Sequence, residues 1–160
     1  VMDHTYMGRI VYNVHLNGRL VGEVGLNAAL AGSFGVPIGL VTGDDKVVEE
    51  ARSLLGEIQT VVVKEAVGRY SARCLPPAEA RERIRKAAAT ALREGGKLFR
   101  LESPCTIRVE FINSAFADLA ELIPGARRLD GRTLEFTHSD YVTVYKAFRA
   151  MIGLARIALR

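Results

Sequence analysis

Residues 9 to 16, RIVYNVHL, alternate cleanly, with Ile10, Tyr12, Val14 and Leu16 on one face and Arg9, Asn13 and His15 on the other. Asn17-Gly18 follows at once. Both central positions of a type I′ turn need positive φ, which Asn and Gly adopt at little cost, so the pair predicts that the chain reverses there into a hairpin. A half-buried strand tied to a tight reversal needs partner strands and a covering layer, and the remaining sequence has to supply them.

Beyond Val21 the alternation stops. Gly22 to Phe34 is rich in Gly and Ala and reads as a helix able to pack closely against a neighbour, ending at Gly35 and Pro37. Residues 36 to 42 form a continuous apolar run expected of a strand covered on both faces, followed by Gly43-Asp44-Asp45 and a charged helix to about Leu55. Residues 58 to 63 repeat the buried-strand pattern. Pro76-Pro77 opens a helix over 78–93 that Gly95-Gly96 closes. A strand over 106–112 precedes a short helix capped by Ser114 and broken by Pro124-Gly125, and a second hairpin turns at Asp130-Gly131. Ser139 is expected to cap the last helix, where Val142, Tyr145, Phe148, Ile152, Ala155 and Leu159 recur at helical spacing. The fold class is therefore α/β, with a mixed, largely parallel sheet, flanking helices and two β-hairpins, forming a single unit over residues 1–160.

The composition, 49% hydrophobic and 25% charged over 160 residues, is that of a chain with a real core, and it argues against disorder. The least charged run, residues 20 to 43, contains Glu23, Pro37 and six glycines, so no membrane span is expected. Cys74 and Cys105 stand 31 positions apart, matching neither a disulfide framework nor a zinc ribbon, and no leader pattern is seen; a cytoplasmic location is the expectation. Residues 69 to 100 carry nine Lys/Arg against three Glu, within a net charge of +4. The pairs Glu79/Arg83 and Glu82/Lys86 and the lack of interleaved aromatics in the helix favour a solvated face over a nucleic-acid surface.

Two residues stand out chemically. His4, beside Asp3, Thr5 and Tyr6, precedes the first strand; an imidazole there can act as base, nucleophile or metal ligand, or be an ordinary surface histidine. Glu23 is the single charged side chain between Arg19 and Asp44. In a buried helix it must be neutralised, paired or bound to a cation; alternatively it favours the positive end of its helix and reaches water. Asp44 and Asp45 follow a strand and suit helix capping. No Gly-rich phosphate loop, G-x-S-x-G, H-E-x-x-H or C-x-x-C is present.

At MDHTYMG, LNGRLVGEVGLNA, GVPIGLVTGDD, VVVKEAVGRYSARCLPP, VEF, IPGAR and YKAFRAMIGLA, in order through nearly all 160 residues, the sequence resembles the bacterial and archaeal D-aminopeptidase family. The resemblance implies a zinc enzyme with a two-zinc centre that releases D-amino acids such as D-Ala from short peptides, assembled as a self-compartmentalising homo-decameric ring. By the same resemblance His4 matches the catalytic histidine, as nucleophile or base, and Glu23 matches a zinc ligand. The family pattern also holds an Asp-x-Glu and two metal-binding histidines upstream of the MDHT position, and this chain has no Asp-x-Glu. The expectation is thus a carboxy-terminal portion of such an enzyme, inactive in isolation. No catalytic role is assigned to Asp44, Asp45, Lys64 or Arg69, and Asn27, one helical turn after Glu23, could orient that carboxylate, contact substrate or serve as a packing amide. The rival expectations are a non-catalytic oligomerisation or binding module and, more remotely, nucleic-acid binding through residues 69 to 100.

Overall fold

A computed structural model of the protein describes residues 5–159. The Asn17-Gly18 reversal forms as the sequence dictates: Asn17 has φ +46° and Gly18 φ +82°, joining β1 (Val11–Leu16) to β2 (Arg19–Leu20). Chain order continues with α1 (Glu23–Ser33), β3 (Leu40–Asp44), α2 (Asp45–Leu55), β4 (Gln59–Gly68), β5 (Ser71–Cys74), α3 (Pro77–Glu94) and β6 (Cys105–Phe111). It ends with α4 (Ser114–Ala120), β7 (Arg127–Arg128), β8 (Thr133–His138), α5 (Tyr141–Ala155) and a 3-10 turn, Arg156–Ala158.

The strands fall into two sheets. Five are ordered β2-β1-β6-β8-β7, antiparallel at every junction, and three are ordered β3-β4-β5. The mixed α/β class holds, but the largely parallel pairing does not: β3–β4 is the one parallel pair among the described strands. The reason is local. β1–β2, β4–β5 and β7–β8 are neighbours in sequence joined by short turns, which can only produce antiparallel pairs, whereas β3–α2–β4 is long enough to cross over. The β4–β5 hairpin, turning at Arg69-Tyr70, is a third one beyond the two expected.

The core lies between the five-stranded sheet and α1, α4 and α5. Val14, Leu16, Ile107, Val109 and Leu134 meet Leu26, Phe116, Phe148 and Met151, all buried. Each large side chain so buried stabilises the fold by roughly 1.5–3 kcal/mol. The three-stranded sheet packs with α2 and α3 and is far less enclosed: in β3 and β4 only Asp44 and Val61 are buried, and α3 buries only Ala91. The apolar runs over 36–42 and 58–63 therefore do not mark strands covered on both faces; a three-stranded sheet has few interior positions.

Caps fix the helix starts. Asp44 accepts the Val47 N–H at 2.9 Å, as expected of it. The last two helices are capped one residue away from the expected Ser114 and Ser139, by Asn113 on Phe116 and by Asp140 on Val142 and Thr143. Asn and Asp place a side-chain oxygen over the first turn and outcompete the adjoining serines for that place. In α1, Gly32 lies so close to the following loop that a Cβ there would sit 1.7 Å from the Phe99 carbonyl oxygen, the close approach that its small residues foretell. No helix among the described residues is long and apolar enough to cross a membrane.

Candidate active site

The start of α1 determines the site. Its N-cap, Gly22, has no side chain with which to cap the helix, and the Gly22 N–H itself donates to the carboxylate of Glu50 on α2 at 2.7 Å. A Cβ at residue 22 would stand 2.8 Å from Glu50 Oε2, so glycine admits the carboxylate. Glu23, in the first turn, is half-buried, and its Oε1 accepts the backbone N–H of Tyr6 at 2.9 Å. Two carboxylates thus gather at the positive end of one helix dipole.

Tyr6 is held in an unusual conformation, with φ +57°, a region that non-glycine residues seldom occupy. Its side chain explains how this persists. The hydroxyl donates to Asn27 Oδ1 at 2.7 Å and lies 2.5 Å from the Tyr145 hydroxyl. Because its one proton goes to Asn27, Tyr145 is the donor in the second bond. The ring meets Phe148 edge-on with centroids 5.4 Å apart, and the Arg149 guanidinium lies 5.0 Å from its centroid. Burial first, and then the Tyr145 hydroxyl, push the Tyr6 phenol well above its ordinary range, so it remains a neutral donor. Contacts to α1 and α5 therefore over-determine the strained residue.

Glu23 faces a cleft of about 740 Å³ that Thr5, Asp44, Lys46, Glu50 and Arg69 also line. Asp44 is buried, and its carboxylate accepts the Val47 N–H. Asp45 accepts the Ala66 N–H at 2.7 Å, which ties α2 to β4 and keeps its own carboxyl low. Lys64 stands opposite Asp44 in the β3–β4 register.

Of the two residues singled out from the sequence, Glu23 is thus at the cleft in a fixed orientation, while His4 lies outside the described residues. Asn27 acts one step removed from the carboxylate, by holding Tyr6. Tyr145 and Glu50 were not among the sequence candidates. Tyr145 sits within an apolar stripe that hides its hydroxyl; the signal for Glu50 is Gly22 itself, a helix start with no side-chain cap of its own. Among the described residues no three His, Cys, Asp or Glu side chains gather to hold a metal ion. A zinc site takes three or four protein ligands, so these residues do not make one by themselves.

The cleft, edged by carboxylates on an α/β framework, is a candidate small-ligand site. Comparison with known proteins is sharper. The D-aminopeptidase family model matches residues 1–150, and the chain belongs to that family. It is 35% identical over 123 residues to a D-aminopeptidase of Bacillus subtilis (strain 168), a match covering 75% of this chain and 45% of that protein. A solved structure, the Zn-dependent D-aminopeptidase DppA from Bacillus subtilis, described as a self-compartmentalizing protease, superposes with a TM-score of 0.92 at 33% identity, covering 98% of this chain and 58% of that one. The chain spans about half the length of the relatives it matches.

Proposed function

We propose that the chain forms part of a zinc-dependent aminopeptidase that releases N-terminal D-amino acids, such as D-Ala, from short peptides at a two-zinc site. In this reading Glu23 is one metal ligand and His4 carries the proton or attacks as nucleophile. The other ligands come from outside the described residues, since a single carboxylate cannot satisfy a zinc ion. Isolated residues 1–160 are then inactive, and the working enzyme is a homo-oligomer, a decameric ring, in the cytoplasm.

The observation that carries the reading is the carboxylate of Glu23, fixed by the Tyr6 N–H at the wall of a cleft, in a chain 33% identical to a zinc-dependent D-aminopeptidase. A ligand held before the metal arrives loses little freedom on binding it. This chain's own contribution is that pre-orientation, with Glu50 accepting the Gly22 N–H beside it.

The test is to assay the intact protein on D-Ala-D-Ala and L-Ala-L-Ala, with and without a chelator. The reading expects cleavage of the D-dipeptide that chelation abolishes and zinc restores. Cleavage insensitive to chelation, or a preference for the L-dipeptide, would overturn it. A second reading, a non-catalytic oligomerisation module, draws on α3, where Leu92 is 87% exposed. It expects the same assembly with no turnover and no bound metal.

A further inference from the structure

We propose that Arg69 receives the free C-terminal carboxylate of a short peptide in the Glu23 cleft, and so selects small, unblocked substrates. The inference rests on the peptidase reading above and names the end of the substrate that this chain would grip.

Among the described residues two cations line the cleft, Lys46 and Arg69, and they differ in their commitments. Lys46 Nζ is held by Glu49 Oε1 at 3.0 Å and Asp45 Oδ2 at 3.5 Å. Arg69 has no carboxylate partner among the described residues. Its guanidinium rests instead 5.7 Å from the centroid of the Tyr70 ring. That contact steadies the planar group and consumes none of its five N–H donors.

The position suits a ligand. Arg69 sits in the turn between β4 and β5, beside Ala66 and Gly68, and all three line the cleft. The Asp45 carboxylate, by accepting the Ala66 N–H, anchors the base of this turn to α2. Val21 and Val24 on the same cleft give apolar surface to a small side chain. A guanidinium binds a carboxylate through two parallel hydrogen bonds, a match that a blocked terminus lacks. An extended chain advances about 3.3–3.6 Å per residue. In a cleft of about 740 Å³, a cation on the wall would meet the terminal carboxylate of a short peptide rather than that of a long chain whose first residue occupies the same place.

The experiment compares Arg69→Ala and Arg69→Lys with the wild type in the intact, zinc-loaded protein, on D-Ala-D-Ala and on D-Ala-D-Ala amide. Arg69 is exposed in a turn, so the variants fold. Arg69→Ala is expected to raise KM for the free acid about 10- to 100-fold, the worth of a charge-assisted pair, and to leave kcat and the amide kinetics within about threefold of wild type. Arg69→Lys, keeping charge but losing the fork, is expected to fall between. Equal losses on acid and amide, no loss on the acid, or equal losses with a changed assembly size in light scattering would overturn the proposal. Calorimetric titration of both peptides into zinc-stripped protein separates the two levels of the argument. Tighter binding of the acid that vanishes in Arg69→Ala supports the carboxylate site even if no turnover is found, in which case the peptidase reading alone falls; binding without that preference overturns the site.

Discussion

The backbone N–H of Tyr6 lies 2.9 Å from Glu23 Oε1, and the Tyr6 hydroxyl meets that of Tyr145 on the last helix. One strained residue thereby couples the orientation of a cleft carboxylate to the core helix α5. Under the proposed function the coupling makes Tyr145 a positioning residue, although it is remote in sequence from the cleft.

Replacing Tyr145 by Phe keeps the ring contacts and removes the donor to the Tyr6 oxygen. The expected cost is about 1 kcal/mol in urea unfolding, the ordinary net worth of one such bond. Tyr6→Phe removes that bond and the one to Asn27, and should cost more. Because both variants delete the same oxygen–oxygen contact, the double variant should be less destabilised than the two single losses combined. Strict additivity would show that the two hydroxyls do not interact.

Glu23→Gln keeps a side-chain oxygen for the Tyr6 N–H and removes only the charge. Stability should shift little, within the 0.3–1 kcal/mol or so that a charge gains at a helix start. Under the proposed function, the metal content and activity of the intact protein should nevertheless fall at least about tenfold, as loss of a ligand requires. Full metal occupancy in this variant, measured by elemental analysis, would remove Glu23 from the ligand set.

The architecture was legible in sequence wherever local chemistry decides it. Asn17-Gly18 and Asp130-Gly131 specify their reversals through positive φ or turn geometry, and Asp44 and Pro77 mark helix starts, because each acts on its own backbone neighbours. Strand direction was less legible. An apolar run such as residues 36–42 looks the same in a parallel or antiparallel sheet, and which strands meet is settled by packing far along the chain, as in Val14 opposite Val109. The site divides in the same way. Glu23 is visible as a charge out of place, whereas its holders are a backbone N–H and a tyrosine 139 positions from Tyr6, which no local pattern reveals.

Gly32 offers a test in which two known effects oppose each other. Alanine favours a helix interior over glycine by about 1 kcal/mol, so propensity alone predicts stabilisation by Gly32→Ala. The new Cβ, however, would fall 1.7 Å from the Phe99 carbonyl oxygen, a backbone atom unable to rotate aside. Relieving such overlap means separating α1 from the loop at residues 99–100, which also carries the Arg100 hydrogen bond to the Gly32 carbonyl. Overpacking of this kind costs about 1–3 kcal/mol or more and should outweigh the propensity gain. A raised Tm in Gly32→Ala would show that the helix and loop do not approach this closely.

The cap of α5 predicts how the fold responds to acid. The Thr143 hydroxyl and then the Thr143 and Val142 N–H groups hold the Asp140 carboxyl below its ordinary range. A depressed folded-state pKa means that the charged form binds the helix start more strongly than the protonated form does. Its contribution is therefore complete above the unfolded value of about 3.9 and is lost as pH falls through the lower folded value. Asp140→Asn caps the same N–H groups without titrating. The wild type should accordingly be the more stable of the two at neutral pH, and its advantage should shrink steadily below about pH 4 as the carboxylate protonates. Chemical denaturation of both proteins across pH 2–7 checks this, and a stability difference that stays constant throughout would mean that Asp140 titrates alike in the folded and unfolded chains.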